Sequence, residues 1–130
     1  MRRTRHFPLI PDSLLLIPSR PLRPRPAPMH QLVHLTGITA PLLADEQALA
    51  ALAIAAAGAI GLPAYGPPTS RTGPLGTAIA LLAPGGHIIV HAEPATGRCI
   101  VDVLTPGTLA PLRAIEVIAR RLGTTVPGDG

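Results

Sequence analysis

The stretch TAIALLAPGGHIIVHAEPATGRCIVDVLT, residues 77–105, decides the fold. Three β-rich segments, 77–83, 87–92 and 98–105, are separated by short turns that contain proline and glycine. Such turns between alternating or β-branched segments are typical of hairpins, and the Pro-Gly-Gly sequence at 84–86 indicates a turn that needs a positive φ. The stretch therefore predicts three consecutive antiparallel strands.

Helical patterns lie on both sides of these strands, at residues 44–61 and 109–123. In the first, Asp45 is placed to cap the helix and Gly61 to end it. This helix is apolar almost all round, so we expect it to lie flat against a sheet. The second is amphipathic and carries basic residues in its last turn, where the helix dipole favours them.

Residues 30–38 predict one further strand, and residues 63–76 predict a loop with a short edge strand. The element order favours an α+β fold in two layers, an antiparallel β-sheet with two helices on one face.

The charge distribution separates a tail from a domain. Six of the eleven basic residues and seven of the 17 prolines lie in residues 1–28, whereas residues 29–130 hold five basic and six acidic residues. We expect a disordered Pro/Arg-rich extension over 1–28, one domain over 29–123 and a flexible tail over 124–130. Alternatively, residues 1–28 lie upstream of a misassigned start, and Met29 is the true first residue of the protein. The slightly acidic charge of residues 29–130 argues against nucleic-acid binding by the domain. No apolar run is long enough to span a membrane, so we expect a cytoplasmic protein.

The histidines come in two pairs with a spacing of four, His30 with His34 and His87 with His91. On a strand, residues four apart share a face but lie roughly 13 Å apart, too far to bind one ion together. No metal site is therefore predicted from these pairs. The single cysteine, Cys99, has no partner for an intrachain disulfide.

Residues 85–107, GGHIIVHAEPATGRCIVDVLTPG, resemble the hairpin of the bacterial S-adenosylmethionine decarboxylases, which reads approximately ESHIxIHTWPExGxAxxDxFTCG. Eight residues fall into register without a gap: His87, Ile88, His91, Pro94, Gly97, Asp102, Thr105 and Gly107. The segments HQLVHLTG and LADEQALAALAIAAAGAIG resemble the first strand and first helix of this family. The resemblance implies its fold, a pairing into an α/β/β/α dimer, and a link to spermidine biosynthesis.

Members of this family are lyases that make their own pyruvoyl cofactor from a serine, which attacks the preceding peptide carbonyl. In register, the serine position is Gly86, which has no hydroxyl, so no cofactor is expected here. The catalytic cysteine position is Pro106, whereas the histidine used in self-processing corresponds to His91. His87 is a second retained family position, which we expect to be vestigial together with His91.

Two further residues, Tyr65 and Glu93, are candidates for binding substrate. The resemblance then implies a catalytically inactive homologue that acts as a scaffold, a regulator or a binder of a nucleoside-like ligand. As partners we expect a second copy of the chain or an active paralogue.

Two alternatives stay open. One is an active decarboxylase that processes itself at another residue, with Thr77, Thr96 or Cys99 as the displaced nucleophile. The other is a nucleic-acid-binding protein that depends on its basic tail.

Overall fold

A computed structural model describes residues 26–128 of the chain. Five strands form one antiparallel sheet: β1 (Met29–Leu35), β2 (Thr69–Gly73), β3 (Gly76–Ala83), β4 (Gly86–Glu93) and β5 (Arg98–Thr105). Their spatial order is β1-β5-β4-β3-β2, so the three strands predicted over residues 77–105 form its centre. The α+β fold and the antiparallel sheet are confirmed. The predicted extension over 1–28 lies outside the described residues, except for 26–28.

Within residues 26–128, three helices accompany the sheet: α1 (Ala40–Leu43), α2 (Glu46–Ile60) and α3 (Pro111–Arg121). The two long helices are the predicted ones, and the single-turn helix α1 was not predicted. The Asp45 side chain accepts a hydrogen bond from Ala48 N at 3.0 Å, and Gly61 ends α2 with φ +75°. The predicted cap and the predicted end of α2 are therefore both confirmed.

The core lies between the sheet and the two long helices. Along each central strand, buried residues alternate with more exposed ones, as in Ile88, Val90 and Ala92 of β4. Residues of α2 and α3, such as Leu49 and Ile118, are buried against this face in the same cluster. The strand period of two thus leaves the opposite face of the sheet, here called the open face, without a covering layer among residues 26–128.

Two hairpin turns fix the register of the central strands. Ala83 pairs with Gly86 across the β3–β4 turn, and Gly85 has φ +69°, the left-handed conformation that glycine adopts readily. The turn between β4 and β5 pairs Glu93 with Arg98. As a result, odd-numbered residues of β4 and even-numbered residues of β5 share the open face. None of the helices within residues 26–128 meets the length and hydropathy that a membrane span requires.

Candidate functional site

The tip of the β3–β4 hairpin brings Gly86 close to Pro106, the residue that follows β5. A Cβ atom built on Gly86 would lie 3.4 Å from Pro106 Cδ and only 2.5 Å from the carbonyl oxygen of Leu104. It would also lie 3.1 Å from a methyl group of Leu62. The position is therefore closed by backbone as well as side chains, and any residue larger than glycine requires local rearrangement.

His91 does not meet Gly86 within one chain. The two residues lie five positions apart on β4, roughly 16 Å at the usual rise of a strand. Successive residues of a strand point to opposite faces, and five is an odd number of residues. His91 is therefore on the open face of the sheet, and Gly86 is on the face covered by the helices. The structure thus brings together two of the predicted site positions, Gly86 and Pro106, and leaves His91 apart from them.

His91 and Glu93 line one small cavity of about 190 Å³ at the end of β4, together with Arg71 of β2. Glu93 Oε1 accepts hydrogen bonds from Arg98 Nη2 at 2.8 Å and from Thr96 Oγ1 at 3.2 Å. The Arg98 guanidinium holds the pKa of the Glu93 carboxyl below its ordinary value. The Glu93 carboxylate is therefore engaged in an ion pair with Arg98 and is not free to bind a ligand through the same oxygen.

Tyr65, the other predicted binding residue, lies in the exposed loop between α2 and β2. Its backbone N–H donates to Leu82 O at 2.8 Å, which fixes the loop against β3. The ring is not part of the cavity beside His91. The two predicted binding residues, Tyr65 and Glu93, therefore do not form one site.

The three alternative nucleophiles differ in exposure. Thr77 is buried, and its hydroxyl pairs with that of Thr72 at 2.9 Å. Thr96 is exposed in the β4–β5 turn. Cys99 is fully buried in the core, and this burial raises the pKa of its thiol to about 12. The thiolate is the reactive form of cysteine, so Cys99 is held in its inert form at neutral pH.

A cluster that the sequence did not predict lies on the open face, across strands β1, β5 and β4. His30 Nε2 is hydrogen-bonded to Asp102 Oδ1, and His87 Nε2 lies 3.8 Å from Asp102 Oδ2. The two imidazole rings are 6.5 Å apart between centroids, at an interplanar angle of 79°. His30 and His87 both pair with Leu104 of β5 and therefore lie on either side of it. The sequence shows the three residues, but only the order of the strands reveals that they meet.

The open face also carries an apolar patch, which is bordered by His34, His91 and Arg98. Leu32 of β1 and Leu82 of β3 are exposed, and the half-buried Ile89, Ile100 and Leu104 lie between them. Exposed apolar side chains that adjoin one another on one surface mark a contact region more often than isolated ones do.

Comparisons with known proteins agree with this architecture. The sequence model of the family described as S-adenosylmethionine decarboxylase matches residues 29–126. Among solved structures, the chain is similar to the adenosylmethionine decarboxylase from Aquifex aeolicus VF5. The TM-score is 0.67 and the sequence identity 23%, over 78% of this chain and 84% of that chain. At this identity the likeness concerns the fold alone. A search of curated proteins found no match.

Proposed function

Because the chain belongs to the S-adenosylmethionine decarboxylase family, we propose that it is a homologue that does not process itself and acts in polyamine biosynthesis as a dimeric scaffold or regulator. The proposal has two parts. One concerns the chemistry that is lost at Gly86, and the other concerns the surface that remains for a partner.

The environment of Gly86 carries the first part. Glycine supplies no hydroxyl or thiol, and the position at which a side chain would begin lies 2.5 Å from Leu104 O. The residues around Gly86 therefore do not fit a pyruvoyl group or the serine that precedes it. Pro106, at the position that the resemblance assigns to the catalytic cysteine, offers no proton to a product carbon.

Two of the three alternative nucleophiles are unsuited to replace the missing serine. Buried Cys99 is kept protonated by its raised pKa, and the hydroxyl of buried Thr77 pairs with that of the exposed Thr72. Thr96 is exposed, and its hydroxyl lies within reach of the Glu93 carboxylate and backbone carbonyl. The burial of Cys99 and Thr77 argues against self-processing at either residue. Thr96 has a carboxylate beside it that could serve as a base, so the intact mass of the chain decides its case.

The intact mass of the purified full chain, measured under denaturing conditions after prolonged incubation, tests this part. We expect one species near 13.4 kDa. Two fragments that sum to this mass, the second one blocked at its amino terminus, would contradict the proposal and indicate a pyruvoyl group formed at an unsuspected residue.

Ligand binding is less well supported than assembly. The cavity beside His91 measures about 190 Å³, below the roughly 300–1,000 Å³ typical of small-molecule sites. A neighbouring cavity lined by Glu93 and Thr96 measures about 350 Å³ and lies within that range. We place a protein partner ahead of a nucleoside-like ligand because the open face leaves Leu32 and Leu82 exposed.

The open face supports a second copy of the chain as this partner. It carries an apolar patch beside the histidine–aspartate cluster. Two sheet surfaces stack about 10 Å apart when sheets pack face to face. Two-fold pairing would bury the same residues of both copies, as isologous dimers do. The helices would then be on the outside and both sheets within.

A charge placed on this face tests the dimer. Leu82, on the open face, is 55% exposed, and Leu75, in the β2–β3 turn, is 85% exposed. In sedimentation velocity, we expect the wild type and Leu75→Asp to have twice the chain mass and Leu82→Asp to be a monomer. A monomeric wild type, or equal dissociation of both variants, would overturn this part of the proposal.

A further inference from the structure

We propose that His30, His87 and Asp102 bind a divalent transition-metal ion of the zinc class on the open face of the sheet. The inference is independent of self-processing and goes beyond the function proposed above. It depends on residues of one protomer that come from three neighbouring strands.

The register of the sheet explains why these residues meet. His30 of β1 and His87 of β4 face Leu104 of β5 from its two sides. Asp102 is two residues before Leu104 and therefore lies on the same face of β5. Its two carboxylate oxygens are directed to the two histidines, one to each.

The spacing of the donor atoms is close to that of a metal site. One donor atom from each residue lies within 4.8 Å of the other two. Ligands bound tetrahedrally at about 2.0–2.1 Å from zinc lie roughly 3.3 Å apart. His87 Nε2, at 3.8 Å from Asp102 Oδ2, needs to approach by about half an ångström to reach that separation. His30 Nε2 has to give up its hydrogen bond to Asp102 Oδ1 and move away from this oxygen.

The His87 ring supplies an independent observation. Its Nε2 atom is buried and has no hydrogen-bond partner among residues 26–128, and its distance to Asp102 exceeds that of a hydrogen bond. An unpaired buried nitrogen is costly, whereas a bound cation would satisfy its lone pair. The side chains of His87 and Asp102 are 25% and 26% exposed within one chain. In the dimer proposed above, the cluster would lie between the two sheets, so the ion would have to bind before or during pairing.

The donor set determines the class of metal. Two imidazoles and one carboxylate suit Zn²⁺, Co²⁺, Ni²⁺ or Fe²⁺, whereas Mg²⁺ and Ca²⁺ prefer oxygen ligands alone. Three protein ligands also leave at least one coordination position for water or an added ligand.

Equilibrium dialysis of the full chain, without an added histidine tag, against Zn²⁺ tests the inference, with the visible spectrum of Co²⁺ as a second readout. We expect one ion per chain and a Co²⁺ spectrum of low coordination number. In His87→Gln and Asp102→Asn, the affinity should fall by at least 10- to 100-fold, since even outer-shell partners contribute that much. The matched control is His34→Gln, because His34 lies on the same strand and face as His30 but outside the cluster.

Circular dichroism of each variant checks that the fold is retained, since these side chains are on the surface of the sheet. Absence of stoichiometric binding to the wild type would overturn the inference. So would binding that survives in folded His87→Gln and Asp102→Asn, or binding that His34→Gln weakens equally.

Discussion

Replacement of Gly86 by serine would restore the hydroxyl that the resemblance places at this position, and we expect it to destabilise the protein instead. The new Cβ would lie 2.5 Å from Leu104 O and 3.1 Å from Leu62 Cδ1. Leu62 can adjust its side chain, but the carbonyl belongs to a central strand. Overpacking of this kind costs about 1–3 kcal/mol of unfolding free energy. At this size of domain, each kcal/mol lowers Tm by roughly 4 °C.

Urea denaturation and thermal melts of Gly86→Ser measure this loss, with Gly58→Ser as the matched control. Gly58 lies in α2, and a Cβ built there has no neighbour within 4 Å. The same substitution should therefore leave stability unchanged or raise it slightly, because glycine disfavours helix. Equal stability of Gly86→Ser and wild type would refute the steric argument. Self-cleavage of Gly86→Ser would refute the conclusion that the surroundings no longer fit the cofactor.

Three further predictions concern stability and reactivity. Asp45→Ala removes the bond to Ala48 N and should cost about 1 kcal/mol in chemical denaturation. Hydroxyl donors of β2, including Ser70, lower the pKa of Glu46 below 4.5. The stabilisation by Glu46 is thus fully present above this pH and lost as pH falls through the lowered folded pKa, so Glu46→Gln should flatten stability between neutral and acid pH. The buried Cys99 thiol should react with a thiol reagent only at the rate of unfolding; rapid reaction of the native protein would contradict its placement in the core.

The local features of the fold could be predicted from the sequence because each depends on neighbouring residues. The cap at Asp45, the αL residue at Gly61 and the hairpin turns at Gly85 and Gly97 all have short-range signals. Helix α1 was missed because a single turn of four residues shows no helical period.

The cluster on the open face was missed for a different reason. The spacing within each strand correctly separates His30 from His34 and His87 from His91, but it does not predict which strands become neighbours. The predicted hairpin already brings His87 of β4 near Asp102 of β5. The placement of β1 on the other side of β5 then brings His30 to the same carboxylate. Strand order depends on packing of the whole sheet, so it has no signature in either pair alone.

The edge position of β1 also has a consequence for the order in which the molecule folds. Strands β2 to β5 follow one another through short turns, whereas the contact between His30 and Asp102 joins residues 72 positions apart. Closing so long a segment is entropically costly and slow, while hairpins form quickly. We expect pulse-labelled hydrogen exchange to protect amides of β3 and β4 before those of β1. The paired histidines would then meet Asp102 only in the last stage of folding, and early protection of β1 would contradict this order.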